Sequence, residues 1–313
     1  MRARTLASFG SWALALAMLA LLVYRADRGA LWAALQSAEL VRYGIASAVF
    51  VGVWLAFDAY ILGWLFGRLG AAIPWHEMVR LRGATYLLLA LSLHVANAAM
   101  IGLVQQRSGV SLARAAASML VMYAGDLTAL CGVSLLASLG VSSPLVSALR
   151  PVLAGLTLGL LGLFAVGLIM RRRLAGRPFF GVVADLGALD VAALIGLRAA
   201  FYGTFVAFAW VTLPALQIDL PLHEIAARMP VVMGIGALPI TPAGLGTTQA
   251  AMLALFGELA DPSHVLAYAL LYGLTLVGLR IPIGAVLAPG MLGRSRAESR
   301  PKPRRETRGE ATQ

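Results

Sequence analysis

Two acids and two arginines lie well inside long apolar runs of the sequence, where they could bind a charged ligand: Asp58, Asp126, Arg198 and Arg280. A charge at the centre of a membrane helix costs about 2.5–3.5 kcal/mol on insertion scales, so such a residue usually faces a partner or a wet cavity. Because their charges are opposite, either acid could form an ion pair with either arginine. Because a guanidinium holds a phosphate through two parallel hydrogen bonds, Arg280 and Arg198 are predicted ligands of a lipid phosphate. Internal salt bridges and snorkelling to the membrane interface are the alternatives.

A second candidate site lies at 239–249, where prolines and glycines interrupt an apolar run. Proline removes a backbone donor and glycine loosens the chain, so no α-helix continues through this segment. Broken backbone at membrane depth is tolerated where it is buried in protein or lines a wet cavity, and the start of the next half-helix suits an anion. The alternative is a kinked structural hairpin without a ligand. The predicted headgroup-binding residues here are Pro239, Thr241, Pro242, Gly244, Gly246, Thr247, Thr248 and Gln249.

The run 83–104 carries two polar residues near its centre, His94 and Asn97, which we also predict to bind the headgroup. A histidine titrates near neutral pH, so His94 could carry a proton; the alternative is a neutral histidine hydrogen-bonded between packed helices. The adjacent His-Glu pairs at 76–77 and 223–224 lack the i, i+4 spacing of metal ligands, and the sequence has no Gly-x-x-x-x-Gly-Lys loop. We therefore predict no metal, no cofactor and no catalytic set.

The composition is that of a helical membrane protein. Of the 313 residues, 60% are hydrophobic and 12% are charged, with a mean hydropathy of +0.84. Ordinary soluble domains are about a quarter charged, so this composition excludes a soluble globule as well as a disordered chain. The net charge is +11, and the basic residues lie in loops beside apolar runs. This placement indicates a role in membrane orientation and binding of anionic lipids rather than binding of nucleic acid. Apolar runs of spanning length lie at about 6–24, 40–66, 83–104, 115–139, 151–170, 191–217, 229–258 and 264–288.

Arginine-rich segments predict the orientation of the chain. The N-terminus, the loops 67–82 and 171–177 and the tail 293–313 are basic and are expected to be cytoplasmic, because cationic loops resist translocation. Three apolar runs separate the first loop from the second and the second loop from the tail, although two cytoplasmic ends require an even number of crossings. One run in each set must therefore turn back. We predict that 83–104 does so from the cytoplasm and 229–258 from outside.

The predicted fold is an all-α polytopic membrane protein with about six full transmembrane helices and two re-entrant helical hairpins. A Pro-x-His-Glu motif at 74–77 recurs at 221–224, an offset of 221 − 74 = 147, and so pairs the two hairpins. Two similar units in opposite orientations are the plan of many transporters. The predicted parts are inverted repeats at about 40–139 and 187–288, one transmembrane domain over 1–290, and a basic disordered cytoplasmic tail over 291–313.

The segment Leu238–Gln249 resembles the second-hairpin signature of the lysylphosphatidylglycerol synthase transmembrane region, a flippase-like family. Residues 109–118, followed by Gly125 and Asp126, resemble the region after that family's first hairpin. The resemblance covers roughly residues 10–290. It implies a bacterial plasma-membrane protein in lipid translocation or envelope-lipid modification, and hopanoid-associated proteins share the domain.

Two departures limit what the resemblance implies. Gln249 stands where the family usually has an acid, and residues 93–98 lack the family's Pro-x-x-Gly-Glu pattern. What the resemblance implies about charged residues in both hairpins is therefore not expected of this chain. Nothing after residue 290 is long enough for the cytoplasmic aminoacyl-transferring domain of some members, so we do not expect aminoacylation.

These observations predict a protein of the bacterial inner membrane, with both termini cytoplasmic, that translocates a polar or phosphorylated lipid. The headgroup would cross through a midplane cavity formed by the two hairpins, and membrane lipids are the expected partners. One alternative is a membrane-embedded enzyme acting on an isoprenoid, hopanoid or glycolipid, which the scattered acids favour less. The other is an assembly partner of an envelope-lipid biosynthetic enzyme.

Overall fold

A computed structural model of the chain describes residues 2–89, 93–174, 181–238 and 240–289, and within those ranges the regular structure is helical. The tail 291–313, which the sequence predicts to be disordered, lies outside the described residues. The helices are α1 (Arg2–Arg25), α2 (Arg28–Gln36), α3 (Leu40–Arg68), α4 (Trp75–Leu89), α5 (Leu93–Ser108), α6 (Leu112–Ser138), α7 (Pro144–Ile169), α8 (Arg171–Leu174), α9 (Gly181–Asp185), α10 (Ala188–Thr212), α11 (Leu222–Ala237), α12 (Thr247–Phe256), α13 (Pro262–Gly278) and α14 (Arg280–Leu287).

Among the described residues, five helical stretches are long and apolar enough to cross a membrane. This confirms the prediction of an all-α polytopic membrane protein. α1 adds a shorter apolar stretch, Gly10–Arg25. α13 and α14 follow each other with one residue between them and together form the last stretch. The five are Leu40–Arg68, Leu112–Ser138, Pro144–Ile169, Ala188–Leu216 and Pro262–Leu287.

Side-chain caps fix where several of these helices begin. The Ser111 hydroxyl accepts a hydrogen bond from the Arg114 backbone N–H at the start of α6, and Ser143 does the same for Val146 at the start of α7. The Asp261 carboxylate accepts from the Ser263 backbone N–H at 2.8 Å at the start of α13. Such caps satisfy backbone donors that a helix leaves free at its N-terminus.

The two apolar runs predicted to turn back are each divided between two short helices. α4 and α5 share the first run, and the Glu77 carboxylate near the start of α4 pairs with Arg107 near the end of α5 at 2.9 Å. α11 and α12 share the second, and Arg228 Nε on α11 donates to the Leu255 carbonyl on α12 at 2.7 Å. Each pair is therefore antiparallel, with its connection at 90–92 or 238–246.

One boundary differs from the sequence prediction. The segment 67–82 was expected to be a cytoplasmic loop, but α4 begins at Trp75, so Arg80 and Arg82 belong to a helix. Arg82 can lie there because its charge is paired with a buried acid, as described below. The loop 171–177 begins with the short helix α8, and residues 175–180 lie outside the described residues.

The order of helices repeats along the chain at the offset found in the motif. α4 begins at Trp75 and α11 at Leu222, and 222 − 75 = 147. The packing follows the same pattern: α4 lies against α3 and α14, whereas α11 lies against α10 and α6. α3 and α10 run antiparallel, because Arg68 pairs with Asp190 at 3.4 Å at one end and the Phe50 and Phe208 rings stack at 4.2 Å further along.

Candidate functional site

A largely buried cluster of charges joins the four helices α3, α4, α6 and α10. Asp58 on α3 accepts hydrogen bonds from Arg82 Nε on α4 at 2.5 Å and from Arg198 Nη1 on α10 at 2.8 Å. Asp58 is 2% exposed and Arg198 is 1% exposed. Asp126 on α6 lies 3.2 Å from Arg198 Nε and accepts a hydrogen bond from the Tyr202 hydroxyl at 3.3 Å. We call Asp58, Arg82, Asp126 and Arg198 the charge cluster.

The charge cluster lies far from the ends of the helices that carry it. Asp126 stands 126 − 112 = 14 residues after the start of α6 and 138 − 126 = 12 residues before its end. At about 1.5 Å per residue, it is roughly 18–21 Å from either end. Arg198 is fully buried at that level between two acids, so it does not snorkel to the interface, and its charge is compensated inside the protein.

Arg280 lies beside the charge cluster but pairs with no acid among the described residues. Its guanidinium carbon is 3.4 Å from the centre of the Trp54 ring and 5.4 Å from the centre of the Tyr86 ring. The side chain is 9% exposed, and its Nε is buried without a hydrogen-bond partner. Because Trp54 is one turn before Asp58 on α3, and Tyr86 one turn after Arg82 on α4, the same two helices hold Arg280 and the charge cluster.

The partly buried Arg82 and the buried Arg198 and Arg280 therefore share two acids in this region. Arg82 and Arg198 balance Asp58 and Asp126, and the positive charge of Arg280 remains. The faces of Trp54 and Tyr86 attract a cation, but an aromatic face provides less than an ion pair. An anion placed at Arg280 would complete the balance.

The described part of the predicted segment, 240–249, forms a compact turn closed by its own polar groups. Its backbone is left-handed at Ala243, Gly244 and Gly246, with φ of 53°, 70° and 85°. The Thr247 hydroxyl donates to the Gly244 carbonyl at 3.1 Å and lies 3.1 Å from the Thr241 hydroxyl. These bonds hold the connection between α11 and α12.

Gln249 uses both ends of its side chain in this turn. Its Oε1 accepts a hydrogen bond from the Gly246 backbone N–H at 2.7 Å, and its Nε2 donates to the Ala269 carbonyl on α13 at 3.2 Å. A carboxylate could make the first bond but could not donate the second. The glutamine that replaces the family's usual acid is therefore matched to its surroundings.

The structure brings some of the sequence-predicted site residues together and keeps others apart. Asp58, Asp126 and Arg198 form one cluster, with Arg280 beside it. Among the described residues, no hydrogen bond or ion pair joins that cluster to the segment 240–249, whose buried members are Thr241, Pro242, Gly244, Gly246, Thr247, Thr248 and Gln249.

Three further predicted residues belong to the connections of the two helix pairs. Asn97 on α5 has a buried side-chain oxygen without a hydrogen-bond partner. His94 is the second residue of α5, and its side chain lies outside the described part of the structure. Pro239 lies outside the described residues altogether.

The sequence analysis missed Arg82, Trp54, Tyr86 and Tyr202 as site residues. Arg82 was assigned to a loop because the apolar run begins one residue later. A signal for all four was present: Trp54 and Asp58, Arg82 and Tyr86, and Arg198 and Tyr202 each stand four residues apart. This spacing puts an aromatic and a charged side chain on one face of each helix.

Arg228 was also missed, and it holds the second helix pair together. Its side chain is 1% exposed, pairs with Glu224 one turn earlier on α11 and donates to the Leu255 carbonyl on α12. Within the described residues, no group of three or more His, Cys, Asp or Glu side chains could hold a metal ion.

Comparison with protein families identifies the chain. A family model described as "Lysylphosphatidylglycerol synthase TM region" matches residues 8–284, which include every helix described above except the ends of α1 and α14. None of the curated proteins matches the chain.

Proposed function

The chain belongs to the lysylphosphatidylglycerol synthase TM region family, and we propose that it binds the phosphate of a membrane lipid at Arg280 and moves the headgroup between the leaflets of the bacterial plasma membrane. The family and the five long apolar helices fit an integral membrane protein of lipid metabolism or transport. Translocation of the lipid is the part that we propose.

The uncompensated charge of Arg280 carries this proposal. A buried cation without a partner is strongly unfavourable, and a lipid phosphate would supply the missing negative charge. A guanidinium also suits the planar, two-point recognition of a phosphate. Arg198 adds a second donor, because its buried Nη2 has no hydrogen-bond partner. Arg82 is neutralised by Asp58 and is assigned to positioning Asp58.

The proposed arrangement in the membrane makes both antiparallel helix pairs re-entrant. α4 has 15 residues and α12 has 10, which at 1.5 Å per residue correspond to about 22 Å and 15 Å. Both are shorter than a hydrocarbon core of about 30 Å, so neither spans it alone. α1 and the five long stretches then give six crossings and return the chain to its starting side, with both ends cytoplasmic in our proposal.

The two helix pairs would belong to inverted repeats at about 40–139 and 187–288, within one transmembrane domain over 1–290. The repeated order of helices and the matching packing of α4 and α11 support this plan. The first pair contributes to the headgroup site directly, since Arg82 and Tyr86 are on α4. The second contributes by shaping the protein around α12, because the Gly246 and Thr247 donors are bonded within the turn and the Gln249 amide donates to α13.

The side chains around Arg280 suggest how a headgroup could pass. The headgroup would replace its hydrogen bonds to water with bonds to Arg280 and the free Arg198 donor. The hydrocarbon chains of the lipid would stay in the bilayer. The ion pairs of Asp58 with Arg82 and Arg198 keep the rest of the cluster close to neutral. A site with one net positive charge can bind a phosphate without holding it as strongly as three free arginines would.

The test is lipid exchange between leaflets in reconstituted vesicles. Labelled phosphatidylglycerol is followed in vesicles with wild type, with Arg280→Gln, with Arg150→Gln and without protein. Arg150 is a matched control, because it is an arginine of another long helix that donates to the Ser138 and Val141 carbonyls. We expect exchange with wild type and Arg150→Gln, and a rate with Arg280→Gln near that of empty vesicles. Equal rates in all four preparations would refute translocation.

A further inference from the structure

A lateral groove of about 1200 Å³ lies between α3 and α10 and opens to the side of the helix bundle. We call it the α3/α10 groove. Its wall is almost entirely apolar: Phe50 and Phe208 are buried within it, whereas Ile45, Val49, Val53 and Val211 are exposed. The residues used in the argument below are Ile45, Val49, Phe50, Val53, Ala207 and Val211.

The groove reaches the Arg280 site through one aromatic ring. Phe50, which lines the groove, stacks on Trp54 with 5.8 Å between ring centres. The guanidinium carbon of Arg280 in turn lies 3.4 Å from the centre of the Trp54 ring. Along α3, Val53 is 58 − 53 = 5 residues before Asp58, a rise of about 7.5 Å. The end of the groove on α3 therefore lies about 7.5 Å along the helix axis from the level of Asp58, and Phe50 and Trp54 connect it to Arg280.

The other end of the groove lies at the beginning of α3. The charged residues of its lining, Glu39 and Arg42, are there and pair with each other at 3.3 Å. Within α3 the lining runs from Leu40 to Val53, which is 53 − 40 = 13 residues, or about 20 Å of helix. One leaflet of the hydrocarbon core is about 15 Å thick, so the groove is long enough for a lipid chain.

We propose that the α3/α10 groove holds a hydrocarbon chain of the lipid whose phosphate binds at Arg280. This inference rests on the proposed function and adds a second subsite to it. The occupant is a lipid chain because the groove is apolar beyond its charged end, exposes apolar side chains of α3 and α10, and is connected to Arg280 through Phe50 and Trp54. An anchored chain would keep the headgroup near Arg280 while it crosses.

The test is photo-crosslinking in vesicles of phosphatidylcholine that contain phosphatidylglycerol with a diazirine near the end of one acyl chain. Labelled peptides are mapped by mass spectrometry. We expect labelling of 41–53 and 204–211 to exceed that of the exposed face of α7 several-fold. The α7 residues Leu158 and Ile169, which are 68% and 81% exposed, report ordinary contact with bulk lipid.

Two variants separate the groove from the bulk lipid. Ala207→Trp fills the groove and should reduce its labelling to the level of α7, whereas Leu158→Trp adds the same side chain on α7 and should leave groove labelling unchanged. Equal labelling of α3, α7 and α10 in wild type would overturn the inference without use of any variant. Crosslinks from the groove to a second copy of the chain in place of lipid would also overturn it.

The outcomes distinguish this inference from the proposed function. If Arg280→Gln abolishes lipid exchange while α3, α7 and α10 are equally labelled, the headgroup site stands and the groove subsite is wrong. If groove labelling is concentrated but Arg280→Gln exchanges lipid as wild type does, the groove binds a chain and the role of Arg280 is wrong.

Discussion

At the scale of single residues, the balance of buried charge decides what this site can bind. Asp58 is shared by Arg82 and Arg198, and Asp126 supports Arg198 from α6. Such a cluster holds together only while each charge keeps its partner, because an unpaired charge cannot recover its hydration inside the protein. Arg280 is the exception, and the proposed ligand explains it.

The sequence could identify Asp58, Asp126, Arg198 and Arg280 because each interrupts an apolar run. It could not pair them, since pairing depends on how four helices are rotated and offset in three dimensions. Arg82 was hidden because it stands at the polar edge of its run. Its role follows only from the position of Asp58 across the helix interface.

Loss of the central acid should destabilise the protein strongly. Asp58→Asn removes the carboxylate that compensates Arg82 and Arg198, so we expect the free energy of unfolding to fall by about 3–5 kcal/mol. The measurement is unfolding in detergent. Glu39→Gln is the control, because the Glu39–Arg42 pair is exposed and should contribute no more than about 1 kcal/mol.

A double variant tests whether charge balance is the cause. Asp58→Asn combined with Arg82→Gln leaves Arg198 paired with Asp126. We expect the double variant to be more stable than Asp58→Asn alone, because the excess charge is removed. Losses that simply add would contradict the account.

At the scale of helices, the connection between α11 and α12 is a closed structural unit. Proline and glycine at 239–246 predict the break, because a helix cannot continue through them. The hydrogen-bond partners of the donors in this connection could not be predicted, because they depend on the left-handed backbone at Ala243, Gly244 and Gly246. In that backbone the Gly246 N–H donates to Gln249 Oε1.

Gly246 is the position where this turn is most sensitive. Its φ is 85°, and a β-carbon there would lie 2.9 Å from Met18 Cβ and 3.1 Å from the Ala15 carbonyl oxygen on α1. We expect Gly246→Ala to cost about 1–3 kcal/mol through backbone strain and contact with α1. Thermal unfolding in detergent measures the loss.

Gly155→Ala is the matched control for this prediction. Gly155 lies inside α7, and a β-carbon there would meet no atom within 4 Å. The same substitution should be neutral or stabilise by up to about 1 kcal/mol, because alanine favours a helix. Equal effects at both positions would show that the turn does not depend on its left-handed glycine.

At the scale of the whole molecule, we propose that the chain consists of two runs of helices related by the offset of 147 residues that separates the starts of α4 and α11. The arginine count predicts where the runs must turn back, and the motif predicts which elements correspond. How the two halves pack could not be read from the sequence, because the contacts of α4 with α14 and of α11 with α6 join residues far apart in the chain.

The proposed orientation is tested by single cysteines at Val110 and Ala260 in a Cys131→Ser background. Both positions are in short connections, one before α6 and the other before α13. The inverted plan predicts that an impermeant maleimide reaches residue 110 from the cytoplasmic side and residue 260 from outside. Labelling of both from one side, or with the sides exchanged, would contradict the plan.

The most direct measurement of the central claim is the amount of phospholipid that the purified protein retains in native mass spectrometry. We predict that wild type and Arg150→Gln retain phospholipid, whereas Arg280→Gln loses it, because the anion that balances Arg280 is no longer required. Retention by Arg280→Gln equal to that of wild type, with all three proteins folded, would contradict the claim that Arg280 binds a lipid phosphate.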